Sequence, residues 1–395
     1  MPREITNGIF WVGAKDFSLR DFHSYKTTKG TTYNAYLIKA NKSALVDTVK
    51  EPHFDQMVRR IEALLPLKDL DYLVVNHCEL DHMGSVERLL ALAPKAKVIT
   101  SAKGAEGLLL HFPALSDRDI TVVKAGDTLD LGGITLSFYP IPMVHWPDSM
   151  ATYAAELGVL MPNDAFGQHY STEALFDDES PTELVLRELQ KYYASILDLL
   201  NPGPVQKAVE AVKSLSPRII APSHGVIWRR DVQKVIELYE TWASGSIESR
   251  ATLIYDTMYG ATEEMAKAIE EGFEAEGVPL SVYKASVSDF QEVLTDAMLS
   301  HGIIVGGPTM NNHLYPPVSF LLEYLAMASK RDRAGFAFSA YGWGGGAEKD
   351  ILAYFERAGI RPFGEAWRVR FRPTREDLTL GFERARDFAR LIKGA

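Results

Sequence analysis

Two α/β domains in tandem are what this sequence predicts: a sandwich of sheets covered by helices over residues 1–249, then a doubly wound parallel sheet over residues 250–395. Three observations carry that expectation. The chain has 395 residues, more than one ordinary hydrophobic core organises. Up to about residue 243, strand-like segments outnumber helical ones, and the helices sit between them. From residue 251 onward, strand and helix alternate strictly, the pattern of a parallel sheet with crossover helices.

The elements follow in order. GIFWVGA (8–14), NAYLIKA (34–40) and SALVDTV (43–49) are short β-rich runs. Phe54, Met57, Val58, Ile61, Leu64 and Leu65 recur at helical spacing. DYLVV (71–75), a helix over VERLLALA (86–93) and the strand KVITS (97–101) come next. Residues 121–142 and 151–164 read as strands joined by Gly-rich turns. Helices are expected over 182–200, 204–215 and 231–243, with the buried strand RIIAPSHG (218–225) before the last. ASGSIESR (243–250) is the expected linker. Beyond it lie strand ATLIYD (251–256) and helix 262–277, whose Met265, Ala266, Ile269 and Phe273 share one face. Strands SVYKAS (281–286), HGIIVGG (301–307) and RAGFAFSAYG (333–342) then alternate with helices around 288–299 and 317–329.

Composition narrows the function. Hydrophobic and charged fractions of 46% and 24% are those of a soluble globular protein. A net charge of −10 with no basic patch argues against a nucleic-acid partner. No run approaches the roughly 18 apolar residues of a membrane span. The start, MPREITNGIFWVG, lacks the basic and apolar regions of a signal peptide, so the expected location is cytoplasmic. Cys78 is the only cysteine, which excludes disulfide frameworks and cysteine-ligated clusters within the chain.

The chemistry concentrates in HCELDH (77–82), directly after the apolar run DYLVV. In an extended stretch alternate side chains share a side, so His77, Glu79 and Asp81 would face one way and Cys78 and Leu80 the other. A turn or helix start at Gly84-Ser85 would bring His82 to the same centre. Three more candidates stand at strand ends: His145 in PMVHWPD, Asp164 in LMPNDAFG and His224 in APSHG. Clustered carboxylates repel one another unless a cation neutralises them, so the set points to a metal.

HCELDH with these three downstream residues resembles the metallo-β-lactamase fold as used in flavodiiron proteins. Hydrolytic members of that superfamily carry H-x-H-x-D-H and commonly zinc. Here Glu79 replaces the second histidine, and the added hard oxygen moves the set towards iron, although zinc also accepts carboxylates. The resemblance implies that His77, Glu79 and His145 hold one iron, that Asp81, His82 and His224 hold the other, and that Asp164 bridges them. It also implies that His23 and Tyr193 approach the open face of the metal pair, where each donates a hydrogen bond or proton.

LIYDTMYGATEEMA (253–266) reads as strand, loop and helix. Its loop, Thr257, Met258, Tyr259, Gly260, Ala261 and Thr262, offers two hydroxyls and backbone N–H groups at a helix N-terminus, which suit a phosphate. It is neither a Walker loop nor G-x-G-x-x-G. It resembles the phosphate loop of flavodoxins, which bind FMN. Two later loops stand where such a fold grips the isoalloxazine ring. They are Pro308, Thr309, Met310, Asn311 and Asn312 on one side, and Ser339, Ala340, Tyr341, Gly342, Trp343, Gly344 and Gly345 on the other.

Over nearly the whole chain the resemblance is to class A flavodiiron proteins. It implies an oxidoreductase that reduces O2 to water or NO to N2O, with O2 the expected preference. It implies a head-to-tail homodimer or dimer of dimers that sets the FMN of one subunit against the irons of the other, with Trp146 a candidate for the junction. The absence of CxxC pairs leaves electron supply to a separate donor, such as rubredoxin or reduced coenzyme F420. Two other readings compete: a zinc-dependent hydrolase with an appended flavodoxin domain, and a non-catalytic electron carrier or gas sensor. Glu79 argues against the first, and the full seven-residue set against the second.

Overall fold

The apolar strands of the N-terminal half assemble into two sheets. In the computed structural model, which describes residues 1–394, the first sheet runs in the order Arg3–Thr6, Ile9–Trp11, Tyr36–Lys39, Ser43–Val46, Tyr72–Val75, Lys97–Thr100, Ile120–Val122. It is antiparallel up to Ser43–Val46 and parallel beyond. The second runs Thr128–Asp130, Thr135–Pro140, Met150–Ala154, Val159–Met161, Ile219–Ile220.

Alternation along each strand decides what lies between them. Ile38, Val46 and Val74 point into a core shared with Phe138, Met150 and Met161 of the second sheet. Their neighbours Leu37, Leu45 and Leu73 point the other way, to Met57 and Ile61 of helix Phe54–Glu62, Leu89 of helix Val86–Leu92 and Leu108 of helix Ala102–His111. Both faces of the first sheet are therefore buried, which explains its continuous apolar runs.

This first unit comprises Met1–Tyr193 and Gly203–Glu240. The second takes the chain from Thr241 on together with Ala194–Pro202. The short segment belongs there because Asp198 makes two bonds, of 2.9 and 2.6 Å, to the buried Arg331 guanidinium, and its carbonyl accepts from Ser329 N at 2.7 Å. Little of ASGSIESR is a free linker. Helix Val232–Ala243 includes its first residue, and strand Glu248–Tyr255 begins at its sixth. The helix expected over 182–200 is α-helical only over Thr182–Tyr192 and continues as a π-helix over Tyr193–Leu197.

The second unit orders its parallel strands Leu280–Lys284, Glu248–Tyr255, Ser300–Met310 and Arg333–Tyr341. Beyond the last lie two short edge strands, Ile360–Pro362 and Trp367–Arg370. This is the flavodoxin-like order, with its crevice at the strand C-termini. Among the described residues, no helix is long and apolar enough to cross a membrane.

The central strand is tightly fitted at Gly306, where a β-carbon would come within 2.0 Å of the buried Phe338 ring. Gly306→Ala is expected to destabilise the second unit by about 1–3 kcal/mol. A drop in urea midpoint, followed by circular dichroism, checks this; an unchanged midpoint would refute it.

Candidate functional site

Strand Tyr72–Val75 delivers HCELDH to one end of the first sheet. The expectation of an extended run is corrected: His77 and Glu79 lie in a loop, and a single helical turn, Leu80–Met83, begins at once. That turn carries Asp81 and His82 inward and leaves Leu80 exposed. His145 comes from the loop between Thr135–Pro140 and Met150–Ala154. Asp164 follows Val159–Met161, and His224 follows Ile219–Ile220.

The structure brings all seven metal candidates together, with Asp164 in the middle. Its Oδ2 is 3.6 Å from His77 Nε2 and 3.3 Å from His145 Nε2. Its Oδ1 is 3.2 Å from His82 Nε2 and 3.3 Å from His224 Nε2. Glu79 Oε2 completes the first group, 3.4 Å from His77 and 3.3 Å from His145. Asp81 completes the second, 3.4 Å from His82 and 3.1 Å from His224. Two ligand groups thus stand on either side of one carboxylate, one facing each oxygen.

The donor atoms fit metal ions. Nε2 of His77 and of His82, both oxygens of Asp81, and Oδ2 of Asp164 are buried without a hydrogen-bond partner. Buried polar atoms are otherwise almost always bonded, so this convergence of unbonded donors suits cations. His224 is held from behind, because its Nδ1–H donates to Thr32 O at 2.6 Å and turns Nε2 inward as the nitrogen available to a metal.

The electrostatics agree. Burial opposes a charge on Asp164, yet the His82 charge and the facing His145 and His224 rings hold its carboxyl well below the usual range. Burial likewise works against Glu79 and Asp81, and their histidine partners lower both. On the other side, burial disfavours protonated His77, but the bond to Asp148 and the Glu79 carboxylate facing Nε2 raise it to about 10. His145 rises to about 9, burial being outweighed by Asp164 and Glu79. Three adjacent carboxylates, Asp81 and Asp164 buried and Glu79 partly so, need positive charge, supplied by protons or by metal.

His23 stands on the exposed side, Nε2 3.1 Å from Glu79 Oε1. The placement of Tyr193 is corrected. Its ring meets Tyr239 edge-on at 5.0 Å, and the tyrosine turned to the cluster is Tyr192, whose hydroxyl donates to Asp164 Oδ1 at 3.0 Å. Burial and then the Asp164 and Asp81 charges push the Tyr192 hydroxyl well above its ordinary pKa, so it stays a donor. A helical signal for Tyr192 was present: Val185, Leu189 and Tyr192 form one buried stripe, and Tyr193 lies about 100° round. Asp148, which accepts from His77 Nδ1 at 2.8 Å, had no signal beyond its nearness to His145. His169 lies beside His224 but bonds Thr31 Oγ1 through Nδ1 at 2.9 Å. Burial, then the His224 charge, lowers it to about 3 and keeps it neutral.

In the second unit, the Thr257–Thr262 loop joins Glu248–Tyr255 to helix Ala261–Glu276. Gly260 N–H donates to Thr257 Oγ1 at 2.9 Å, and Thr262 Oγ1 donates to Asp256 O at 2.6 Å, which shapes the loop at the helix N-terminus. Met258 and Tyr259 are exposed. Pro308, Thr309 and Met310 are the end of strand Ser300–Met310. Asn311 and Asn312, both with positive φ, turn the chain back into a hairpin with His313–Leu314. Ser339, Ala340 and Tyr341 likewise end the strand Arg333–Tyr341, and Gly342, Trp343, Gly344 and Gly345 form the loop proper. Gly346, at φ +148°, lets the two loops meet, since a β-carbon there would strike Asn312 O.

Comparison with known proteins gives the same two parts. The profile of the ODP family beta lactamase matches residues 31–225, and that of flavodoxin matches residues 253–384. The chain is 42% identical over 395 residues to the nitric oxide reductase of Moorella thermoacetica, covering 99% of each chain. Its structure is similar to that of rubredoxin oxygen:oxidoreductase from Desulfovibrio gigas, with TM-score 0.96, 32% identity, and coverage of 100% of this chain and 99% of that one. It is also similar to the flavodiiron protein of Giardia intestinalis, with TM-score 0.94, 30% identity, and coverage of 100% and 97%.

Because metal must displace protons from histidines held above their usual pKa, binding releases protons. Anaerobic ferrous titrations of metal-free protein are expected to show affinity rising from pH 6 to pH 8. A pH-independent affinity over that range would contradict this.

Proposed function

The chain belongs to the flavodiiron protein family, and on that premise we propose that it is an oxidoreductase that reduces O2 to water and NO to N2O. The observation that carries this reading is Asp164, one carboxylate shared by two complete ligand groups within 3.2–3.6 Å. His77, Glu79 and His145 would hold one iron, Asp81, His82 and His224 the other, and Asp164 both. A bound di-iron pair would supply redox chemistry on the gas, and bound FMN the electron pair that feeds it.

The residues' own work concerns protons. Reducing O2 to two waters takes four electrons and four protons; joining two NO into N2O and water takes two of each. Tyr192 presents its O–H at Asp164 Oδ1, and His23 stands against Glu79 Oε1 from the exposed side. These are the groups placed to pass protons to the reacting face. In the second unit, Thr257–Thr262 would take the FMN phosphate on backbone N–H groups, and residues 308–312 and 339–345 would flank the ring.

Tyr259 and Trp343, 98% and 90% exposed, leave apolar rings at the mouth of that site for a partner to cover. This supports a head-to-tail homodimer or dimer of dimers. Rubredoxin, which figures in the name of the Desulfovibrio gigas protein, or reduced coenzyme F420 would serve as electron donor.

Protein purified anaerobically is expected to hold about two irons and one FMN per chain, and stopped-flow mixing to show multi-turnover oxidation of the reduced enzyme by each gas. Two zinc ions without iron, or a reduced protein that consumes neither gas, would overturn the reading. Tyr192→Phe is expected to keep both irons but to slow turnover about 10-fold or more. Unchanged turnover would remove Tyr192 from the proton path.

A further inference from the structure

We propose that Asp148 is a positioning residue for one metal of the pair, so that the segment 145–149 sets two ligands of that metal at once: His145 directly and His77 through Asp148. The inference rests on the di-iron reading above.

Asp148 is only 3% exposed, and its Oδ2 accepts two hydrogen bonds, from His77 Nδ1 at 2.8 Å and from Cys78 N at 2.6 Å. An ionised carboxylate only accepts, so His77 keeps a proton on Nδ1, and Nε2 is the nitrogen left to bind a metal once its own proton is displaced. That Nε2 is one of the buried unbonded atoms facing Glu79 and Asp164. A carboxylate behind a ligating imidazole fixes ring orientation and tautomer and makes the inner nitrogen a better donor.

Asp148 is itself anchored. Its carbonyl accepts from Ser101 Oγ at 2.7 Å, and Ser101 caps helix Ala102–His111 by accepting from Gly104 N at 2.9 Å. Within the segment, Trp146 N donates to Ser149 Oγ and Ser149 N to Trp146 O, each at 3.2 Å, which closes the turn. The Trp146 ring stands edge-on to the His77 ring, 5.0 Å away at 90°. His77 is thus held by a bond from one side of the turn and a ring from the other.

The arrangement is asymmetric, which makes it testable. His224, in the other ligand group, is braced by the Thr32 carbonyl, which no change at Asp148 reaches. Loss of Asp148 should weaken one metal and spare the other, whereas a merely structural residue would weaken both.

The experiment is an anaerobic ferrous titration of full-length, metal-free protein against a competing chelator, with thermal midpoints in parallel, for wild type, Asp148→Ala and Asp148→Asn. Wild type should show two sites. Asp148→Ala should lose about 10–100-fold at one site and stay within about threefold at the other. Asp148→Asn, which retains an accepting oxygen without the charge, should fall between them, with one of two Mössbauer components altered. Two wild-type sites that are unchanged, or weakened equally, in both variants would overturn the assignment alone. Fewer than two sites in wild type would overturn the di-iron reading and this assignment with it. If Asp148→Ala does not fold, Asp148→Asn decides by the same criteria.

Discussion

Three carboxylates, those of Glu79, Asp81 and Asp164, meet in a largely buried pocket, and the first unit is arranged around the need to compensate them. Like charges this close are unfavourable in a low-dielectric interior. Four histidines surround them, and each is held above its ordinary pKa because the carboxylates attract positive charge more strongly than burial repels it. The same imbalance makes the cluster a trap for divalent cations. Free energy released on binding is then also free energy of folding, because the pocket draws its ligands from four separate places in the chain.

How much of this was legible in the sequence depended on how local the signal was. HCELDH announced the site because four donors fall within six residues, and Glu79 stood out against the hydrolytic pattern. His145, Asp164 and His224 were visible as chemistry at strand ends. The geometry within HCELDH was not legible: two-residue alternation applies to a strand, and the chain turns helical at Leu80. Tyr192 rather than Tyr193 meets the cluster because helical phase sets it on one stripe with Val185 and Leu189, and the switch to a π-helix at Tyr193 ends the ordinary 3.6-residue count there. Asp148 and the Asp198–Arg331 pair depend on contacts between distant residues, which one sequence does not display. The βαβ alternation of the second unit was legible up to residue 342, though strand Ser300–Met310 runs three residues further into the expected loop than apolarity alone indicated.

In the second unit the constraint is close backbone approach rather than charge. Two loops must meet at one crevice, and Gly346 permits it by lying against Asn312 O. Beneath them, Gly306 leaves room for the Phe338 ring, so the two central strands stay close where the crevice opens. Glu348 secures the second loop from behind by accepting from Gly346 N at 3.0 Å, and it also pairs with Arg368 on the edge strand. Glycine, usually a sign of looseness, here marks tight fit.

The metal candidates come from both sheets of the first unit, and that makes sheet-to-sheet register a functional quantity. His77, Glu79, Asp81 and His82 follow a strand of the first sheet, while His145, Asp164 and His224 follow strands of the second. Apolar packing between sheets tolerates small slides, but a ligand set does not. Directed bonds near the site remove that freedom. Asn76, immediately before His77, donates to Met161 O at 3.2 Å and accepts from Thr152 Oγ1 at 2.8 Å; its carbonyl accepts from Met150 N at 2.9 Å. Tyr36 and Asn34 of the first sheet's side both donate to Pro222 O, two residues before His224, at 2.7 and 2.8 Å. Each bond ties the two sheets together at a residue close in sequence to a ligand, either Asn76 beside His77 or Pro222 two residues before His224. The polar atoms buried between the sheets therefore do what the apolar core does not: they fix where the two halves of the ligand set stand before any metal arrives.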